Sequence, residues 1–267
     1  MSMLDNLHAL ILGDVYGQPG FRAVFIGLKN LIKEKKADLV IVNGENAADG
    51  FGLTPEIAGQ ILSAGAHVIT SGNHIWHQRE ILPQLEDSRV PVIRPANYPP
   101  GTPGKGYTVV TVKGKRVGVL NLQGRSGMSS IDCPFRTAGS LLKKMKSEAD
   151  FVVVDFHAES PEEKEALGIY LDGKVSLLVG THTHIQTADE RILPGGTGYI
   201  TDIGMCGPEL SVIGSDPAIS IRRFLTQMPL KIEVSDNPSV LSGVLVKIEM
   251  SSGKTVSIER FRKKSLV

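Results

Sequence analysis

The segment 175–186, VSLLVGTHTHIQ, constrains the fold more than any other part of the sequence. Its run of Val and Leu is typical of a buried strand, which we expect to end at Gly180. Two histidines, His182 and His184, follow at once in an extended turn. Ligands of open α/β sheets bind outside the carboxyl ends of the strands, so this pair is a candidate metal site. An isolated His-x-His pattern also fits ordinary surface histidines, and the other strand ends must decide between these interpretations.

The same arrangement recurs along the chain, because short apolar runs alternate with segments of helical periodicity. Strands are predicted at 9–12, 38–42, 66–70, 107–112, 116–120 and 151–156, and helices at 21–36, 54–64, 137–146 and 161–171. From residue 197 the pattern shifts to strands at 198–201, 230–234, 241–249 and 255–261, with one helix near 217–225. Alternating βα units of this kind predict parallel strands whose polar exits share one edge.

These elements predict one domain spanning residues 1–267. The expected class is α/β: a four-layer sandwich in which two mixed β-sheets pack face to face and are flanked by helices. The segment 94–106 is rich in Pro and Gly, as a domain linker would be. We predict an ordered loop instead, because a hairpin pattern follows it and resumes the sheet.

Charge and cysteine content narrow the classes of function. The formal net charge is +1, from 29 basic and 28 acidic residues, so the chain has no electrostatic signature of nucleic-acid or anionic-membrane binding. We expect a small-molecule partner, and a homo-oligomer is compatible with the sequence. Cys133 and Cys206 form no metal-binding or disulfide pattern. With no apolar run of membrane-spanning length and no signal-like start, the expected location is the cytoplasm.

The polar residues at the strand exits form a set with the chemistry of metal ligands. They comprise carboxylates, amides and imidazoles, at Asp14, Glu45, Asn46, Asn73, His74, His157, His182 and His184. Oxygen and nitrogen donors without thiolates suit divalent ions such as Mn, Fe, Co or Zn. The donors are too many for one ion, so two metals bridged by a carboxylate are implied. Such pairs are used for in-line displacement at phosphorus.

Several motifs resemble one known family. GDVYGQPG, NGENAADG, SGNHIWH, NLQGR, DFHAE, GTHTHIQTAD and TDIGMCGP occur in this order. Over nearly the whole chain they resemble the YmdB-like bacterial phosphodiesterases of the calcineurin-type metallophosphoesterase superfamily. The resemblance implies hydrolysis of cyclic nucleotide phosphodiesters, including 2′,3′-cyclic AMP, by attack of a hydroxide that bridges the two metals.

The resemblance also implies roles for the residues at the strand exits. A dinuclear centre of Fe or Mn, or of both, would be held by Asp14, Glu45, Asn46, Asn73, His157, His182 and His184. Glu45 would bridge the two ions and His74 would be the catalytic acid. The sequence departs from the wider superfamily at Tyr16, where a histidine is usual, and at Glu45, where an aspartate is usual. We interpret Asn46 as replacing the missing histidine, which shifts metal preference away from zinc.

Other residues are assigned from the sequence alone. Arg125 is a candidate contact to the substrate phosphate, and a structural salt bridge explains it equally well. Asp155, Thr181 and Thr183 are candidates for orienting the ligand histidines. His74 could instead be a buried, hydrogen-bonded histidine without a catalytic role.

Two functions compete with a phosphodiesterase. A phosphomonoesterase, such as a nucleotidase or a protein phosphatase, would use the same metal core. A regulatory protein that senses nucleotides and hydrolyses them weakly is the alternative from a different class. The presence of His74 beside a full ligand set argues against a pure sensor, which needs no acid there.

Overall fold

The computed structural model describes residues 6–265. Its strands are β1 (Asn6–Leu12), β2 (Asp14–Val15), β3 (Leu39–Asn43), β4 (Val68–Thr70), β5 (Tyr107–Val112), β6 (Lys115–Gln123), β7 (Phe151–His157), β8 (Leu177–Thr181), β9 (Arg191–Ile192), β10 (Gly198–Ile200), β11 (Met205–Pro208), β12 (Ser239–Glu249) and β13 (Thr255–Lys264). Its α-helices are α1 (Gly17–Lys35), α2 (Pro55–Ser63), α3 (Leu82–Glu86), α4 (Pro134–Met145), α5 (Pro161–Leu171) and α6 (Pro217–Thr226). Two short 3₁₀ helices cover Asn73–Trp76 and Arg79–Ile81.

The strands form two mixed sheets. The first has the order β2-β11-β12-β1-β3-β4, with β13 paired to β12, and its β1, β3 and β4 are parallel. The second has the order β5-β6-β7-β8-β10-β9, and its β6, β7, β8 and β10 are parallel. Antiparallel strands complete both sheets at β12 in the first and at β5 and β9 in the second.

Alternation along the strands sorts the apolar side chains into three layers. On β1, Ile11 faces the cluster between the two sheets, whereas Leu10 and Leu12 face the cluster under α1 and α2. On β7, Val153 joins the cluster between the sheets and Val154 the cluster under α4 and α5. A strand with both faces buried has a continuous apolar sequence, as these strands do. The predicted four-layer sandwich is therefore confirmed.

Local sequence signals account for the starts of α2 and α5. Thr54 precedes α2, and its hydroxyl accepts a hydrogen bond from the Ile57 amide at 3.3 Å. Ser160 caps α5 in the same way through the Glu163 amide at 3.2 Å. In both helices a proline follows the cap, at a position where no backbone donor is needed.

Two local predictions are wrong. The segment 230–234 forms no strand; of its residues only Val234 makes an isolated bridge, to Ser215. The next strand along the chain, β12, already pairs on both edges, with β1 on one side and β13 on the other, so it offers this segment no partner. Gly180 does not end its strand either, since it lies inside β8 and pairs with Phe156.

The topology brings the strand exits of the two sheets to one region of the molecule. The last residues of β3 and β4 adjoin those of β7 and β8, because the side chain of Asn43 donates to Asp155 at 3.0 Å and that of Thr70 also reaches Asp155. Within residues 6–265, no helix combines the length and hydropathy needed to cross a bilayer.

Glycine is required inside β8, and we expect Gly180→Ala to lower the free energy of unfolding by at least about 2 kcal/mol. A Cβ at this position would lie 1.8 Å from the Thr201 carbonyl oxygen and 2.8 Å from Lys164 Cδ. Gly59→Ala in α2 is the matched control, because nothing lies within 4 Å of its Cβ position. It should raise stability by about 1 kcal/mol. Chemical denaturation measures both variants, and equal effects would contradict the packing argument.

Candidate metal centre

The structure brings the eight predicted residues together in one network of polar contacts at the strand exits. Asp14 begins β2, Glu45 and Asn46 follow β3, and Asn73 and His74 begin the first 3₁₀ helix after β4. His157 is the last residue of β7, and the loop after β8 carries His182 and His184.

The network converges on His157 Nε2. This nitrogen lies 3.1 Å from Glu45 Oε1, 3.1 Å from Asn73 Oδ1 and 2.9 Å from His182 Nδ1. Glu45 and His157 are fully buried. Glu45, His157 and His182 thus offer one carboxylate and two imidazole donors within 4.8 Å of one another.

Hydrogen bonds on the far side of each ring determine which nitrogen faces this point. The Thr181 hydroxyl donates to Asp155 Oδ1 at 2.8 Å, so it accepts from His157 Nδ1–H at 2.9 Å. His182 Nε2 lies 3.1 Å from Glu159 Oε2, which can only accept when ionised. The remaining nitrogens, His157 Nε2 and His182 Nδ1, therefore direct their lone pairs at each other.

Four lone-pair atoms in contact at a largely buried position favour a positive charge between them. A proton can supply it: burial alone would lower the pKa of His157, but the carboxylates of Glu45 and Asp14 raise it to about 9. Burial and the neighbouring His157 lower the pKa of His182 to about 3, so this ring stays neutral and available as a ligand. A divalent cation satisfies the same four atoms at once, and the donor set fits it.

Asp14, Asn46 and His184 form the adjoining part of the network. Asp14 Oδ2 accepts from the His182 amide at 2.9 Å, while its fully buried Oδ1 has no hydrogen-bond partner within residues 6–265. Burial raises the pKa of Asp14 well above its ordinary value, and His157 offsets this only in part. The nearest charged neighbour of Oδ1 is His157 Nδ1 at 3.7 Å, and a buried carboxylate oxygen without a hydrogen bond is a second position that a cation would satisfy.

His184 and Asn46 contact each other next to Glu45, since Asn46 Nδ2 also donates to Glu45 Oε1 at 2.9 Å. His184 Nδ1 donates to the Ile213 carbonyl at 2.8 Å, so its Nε2 presents a lone pair. That nitrogen lies 3.2 Å from Asn46 Nδ2, and Asn46 Oδ1 lies 2.7 Å from His74 Nδ1. Rotation of the Asn46 amide by a half-turn would exchange the positions of Oδ1 and Nδ2. The amide oxygen and His184 Nε2 would then present their lone pairs side by side.

The residue at the usual histidine position contributes no ligand atom. The ring of Tyr16 lies edge-on to His184 with centroids 5.2 Å apart, and its hydroxyl is 3.4 Å from Ser215 Oγ. Tyr16 therefore packs behind His184.

Gly72 leaves the space that this cluster occupies. A Cβ at Gly72 would lie 2.3 Å from both Glu45 Oε2 and His157 Nε2. Any side chain at this position would displace the two groups, so the glycine of the SGNH motif is required by close approach.

A buried ion pair stabilises the loop after β8 that carries His182 and His184. Lys164 Nζ lies 2.8 Å from Asp202 Oδ2, and both side chains are almost fully buried. The same oxygen accepts from the Thr183 amide at 3.1 Å and from its hydroxyl at 2.8 Å. Both flanking histidines have positive φ, 101° at His182 and 65° at His184, a conformation that persists only where the surroundings enforce it.

The sequence analysis missed Lys164 and Asp202. A signal for Lys164 was present, since it lies on the same buried face of α5 as Leu167 and Leu171. A lysine on the apolar face of a helix implies a buried acidic partner.

Among the described residues, 6–265, Arg125 is not part of the polar network. Its side chain is exposed, and its backbone N–H donates to Glu163 at 3.0 Å. It lines a surface cavity of about 600 Å³ together with Glu162 and Glu163, and this cavity shares no residue with the metal cluster. Its phosphate-binding role stays a prediction.

The fold and the donor set define a metallophosphoesterase. A 5′-nucleotidase precursor from Thermus thermophilus has the same fold, with a TM-score of 0.57 at 14% identity over 98% of this chain and 55% of that one. A crystal structure described as a novel phosphatase from Mycoplasma pneumoniae superimposes with a TM-score of 0.92 at 36% identity, covering 98% of this chain and 95% of that one.

The chain belongs to the YmdB-like protein family, whose model matches residues 10–261. It is 46% identical over 255 residues to the 2′,3′-cyclic-nucleotide 2′-phosphodiesterase of Bacillus subtilis (strain 168), covering 95% of this chain and 96% of the relative. The resemblance found in the motifs is confirmed, and the chain is a metal-dependent phosphoesterase.

Replacing the shared carboxylate should abolish metal binding. We expect Glu45→Gln to lose bound Mn or Fe, because the amide removes the negative charge that two cations would share. In the wild-type protein, Mn²⁺ at 100 times its Kd should stabilise the fold by about 2.7 kcal/mol. Metal analysis and thermal unfolding measure the two effects. Glu148→Gln, which changes a carboxylate that accepts from the Tyr107 hydroxyl, should behave as wild type.

Metal binding should release the proton held by His157. In the metal-free protein the pKa of His157 is raised to about 9, so a cation must displace that proton at neutral pH. The apparent affinity for Mn²⁺ should therefore rise about tenfold per pH unit between pH 6 and 8. Calorimetry in buffers of different ionisation enthalpy counts the released protons. A pH-independent affinity would show that His157 is already neutral.

Proposed function

We propose that this protein is a dinuclear metal-dependent phosphodiesterase that hydrolyses cyclic nucleotide phosphodiesters of the 2′,3′-cyclic AMP type. One observation carries the proposal: the eight strand-exit residues are linked by polar contacts around the donor group Glu45, His157 and His182, in a chain 46% identical to a 2′,3′-cyclic-nucleotide 2′-phosphodiesterase. The expected location is the cytoplasm, and the expected partner is a small phosphodiester.

The metals are Fe or Mn, or one of each. Glu45, Asn73, His157 and His182 would hold one ion and Asp14, Asn46 and His184 the other, and Glu45 would contribute to both. The donors are carboxylate and amide oxygens and imidazole nitrogens, which suit these ions. When bound, the two ions offset the charge of a phosphodiester and lower the pKa of water.

Thiolate ligation has no support at this centre. Cys206 is fully buried, its thiol donates to the Ser242 carbonyl at 3.4 Å, and burial raises its pKa to about 12. The sulfur therefore remains protonated and is not a metal ligand.

The chain orients its imidazoles before any ligand binds. Thr181, itself held by Asp155, fixes the Nδ1–H form of His157, and the Ile213 carbonyl does the same for His184. Partners of this kind raise the basicity of a ligand histidine and prevent ring rotation. The Lys164–Asp202 pair holds the loop between His182 and His184.

His74 is positioned to act on the leaving group without binding metal. Its amide donates to Glu45 Oε2 at 3.1 Å and its Nδ1 contacts Asn46 Oδ1 at 2.7 Å. When the Asn46 amide is turned so that its oxygen faces His184, its Nδ2–H donates to His74 Nδ1, and the proton of the neutral ring lies on Nε2. The side chain is 24% exposed, so a substrate can reach it. As the P–O bond breaks, Nε2–H protonates the departing oxygen.

We expect His74→Ala to retain both metals and to lower kcat for 2′,3′-cyclic AMP by about 10²- to 10⁴-fold, the usual contribution of a general acid. Metal analysis and steady-state kinetics with Mn²⁺ or Fe²⁺ test this. Full activity in the variant would refute the acid role.

A comparison of substrates tests the class of reaction. Wild-type protein should hydrolyse 2′,3′-cyclic AMP and bis(p-nitrophenyl) phosphate faster than p-nitrophenyl phosphate. A preference for the monoester would indicate a phosphomonoesterase, and no turnover of any of the three would favour a nucleotide sensor.

A further inference from the structure

Three rings form a cluster beside the metal centre. The ring of Phe51 lies edge-on to His74, with centroids 5.0 Å apart, and is tilted against His77 at 5.6 Å. The rings of His74 and His77 are 5.1 Å apart and nearly perpendicular. His74 has a role in the proposed reaction, whereas Phe51 and His77 have none so far.

The cluster is held by backbone contacts. Gln78 Nε2 donates to the Phe51 carbonyl at 3.0 Å, and His77 Nδ1 donates to the His74 carbonyl at 3.1 Å. Gly52 has φ +86°, and a Cβ there would lie 2.7 Å from Gln78 Cγ and 3.3 Å from the His74 carbonyl oxygen. The loop that carries Phe51 therefore packs directly on the segment 74–78, and the relative positions of the rings are set in advance.

Two of these rings remain accessible. His77 is exposed and Phe51 is half-buried, although backbone contacts hold both residues next to His74. Trp76, in the same segment, is committed elsewhere, since its ring packs edge-on against Tyr98 at 5.1 Å and its indole nitrogen is buried. The available aromatic surface beside His74 thus belongs to Phe51 and His77.

The chemistry of a 2′,3′-cyclic nucleotide indicates what this surface would contact. The base is attached to C1′ of the ribose, and the 2′-oxygen to the adjacent carbon. When His74 protonates an oxygen of the cyclic phosphate, the base must therefore lie close to His74. Nucleobases stack on aromatic and histidine rings with little dependence on base identity.

We propose that Phe51 and His77 form a nucleobase-binding subsite that selects nucleotides over phosphodiesters without a base. The subsite rests on the proposed function, because the position of the base is fixed by the action of His74. It assigns substrate preference to two residues that contact no metal.

The test compares two cyclic phosphates that differ in the base. 2′,3′-Cyclic AMP carries adenine, whereas glycerol 1,2-cyclic phosphate has the same five-membered phosphate ring and no base. His77→Ala and Phe51→Leu should each raise KM for 2′,3′-cyclic AMP about tenfold, as the loss of base stacking does. For His77→Ala, kcat and the KM for glycerol 1,2-cyclic phosphate should stay within about twofold of wild type.

His8→Ala is the matched control. His8 also makes one contact from Nδ1 to a backbone carbonyl, that of Lys36 at 3.2 Å, but it lies on β1 away from the strand exits. Unchanged KM values for both substrates in His77→Ala would overturn the subsite. An equal change for both substrates would also overturn it, since it would mean that His77 acts by positioning His74.

A binding measurement separates this inference from the proposed function. If wild-type protein hydrolyses neither compound, the proposed function fails, and adenosine 3′-monophosphate and inorganic phosphate serve as probes in calorimetry with Mn²⁺ present. About tenfold weaker binding of the nucleotide by His77→Ala, with phosphate affinity unchanged, supports the subsite. Equal nucleotide affinities in the two proteins overturn it.

Discussion

The close approach of acceptor atoms to His157 Nε2 is the constraint on which the candidate site depends, because their lone pairs repel one another. Glu45, Asn73 and His182 all direct acceptor atoms at this nitrogen from within 3.1 Å. Such a group is stable in a buried site only around a positive charge, and a proton or a metal ion can provide it. The two sheets contribute the groups from separate strands, so a cation bound here would also join the sheets. Metal binding and the stability of this edge are therefore linked.

Much of the fold could be predicted because buried parallel strands have a simple signature. The apolar runs before Asn43 and His157 identified β3 and β7, and their polar exits were correctly expected to meet at one edge. The segment 230–234 has a similar pattern but joins neither sheet, apart from the bridge of Val234 to Ser215, and hydrophobic pattern alone cannot show that. Strand β2, at two residues, is too short to produce a periodic signal.

The identity of the candidate site residues was accessible from the sequence, whereas their chemical state was not. The nitrogen that each imidazole directs inward depends on Thr181, Glu159 and Ile213, which come from distant parts of the chain. The sequence also does not show where a long side chain points. Arg125 follows a strand exit as predicted, yet it lines a cavity separate from the metal cluster. The spacing of residues along the chain identifies which side chains lie at one edge of a sheet. Only tertiary contacts determine the orientation of those side chains.

The buried Lys164–Asp202 ion pair bears on how the protein responds to ionic strength. Charges at a protein surface lose much of their attraction as ionic strength rises, because counterions enter between them. This pair is sealed from counterions, with side chains 0% and 1% exposed. The loop that carries His182 and His184 is therefore held by an attraction that added salt barely screens, and its shape should be the same in dilute buffer and in concentrated electrolyte.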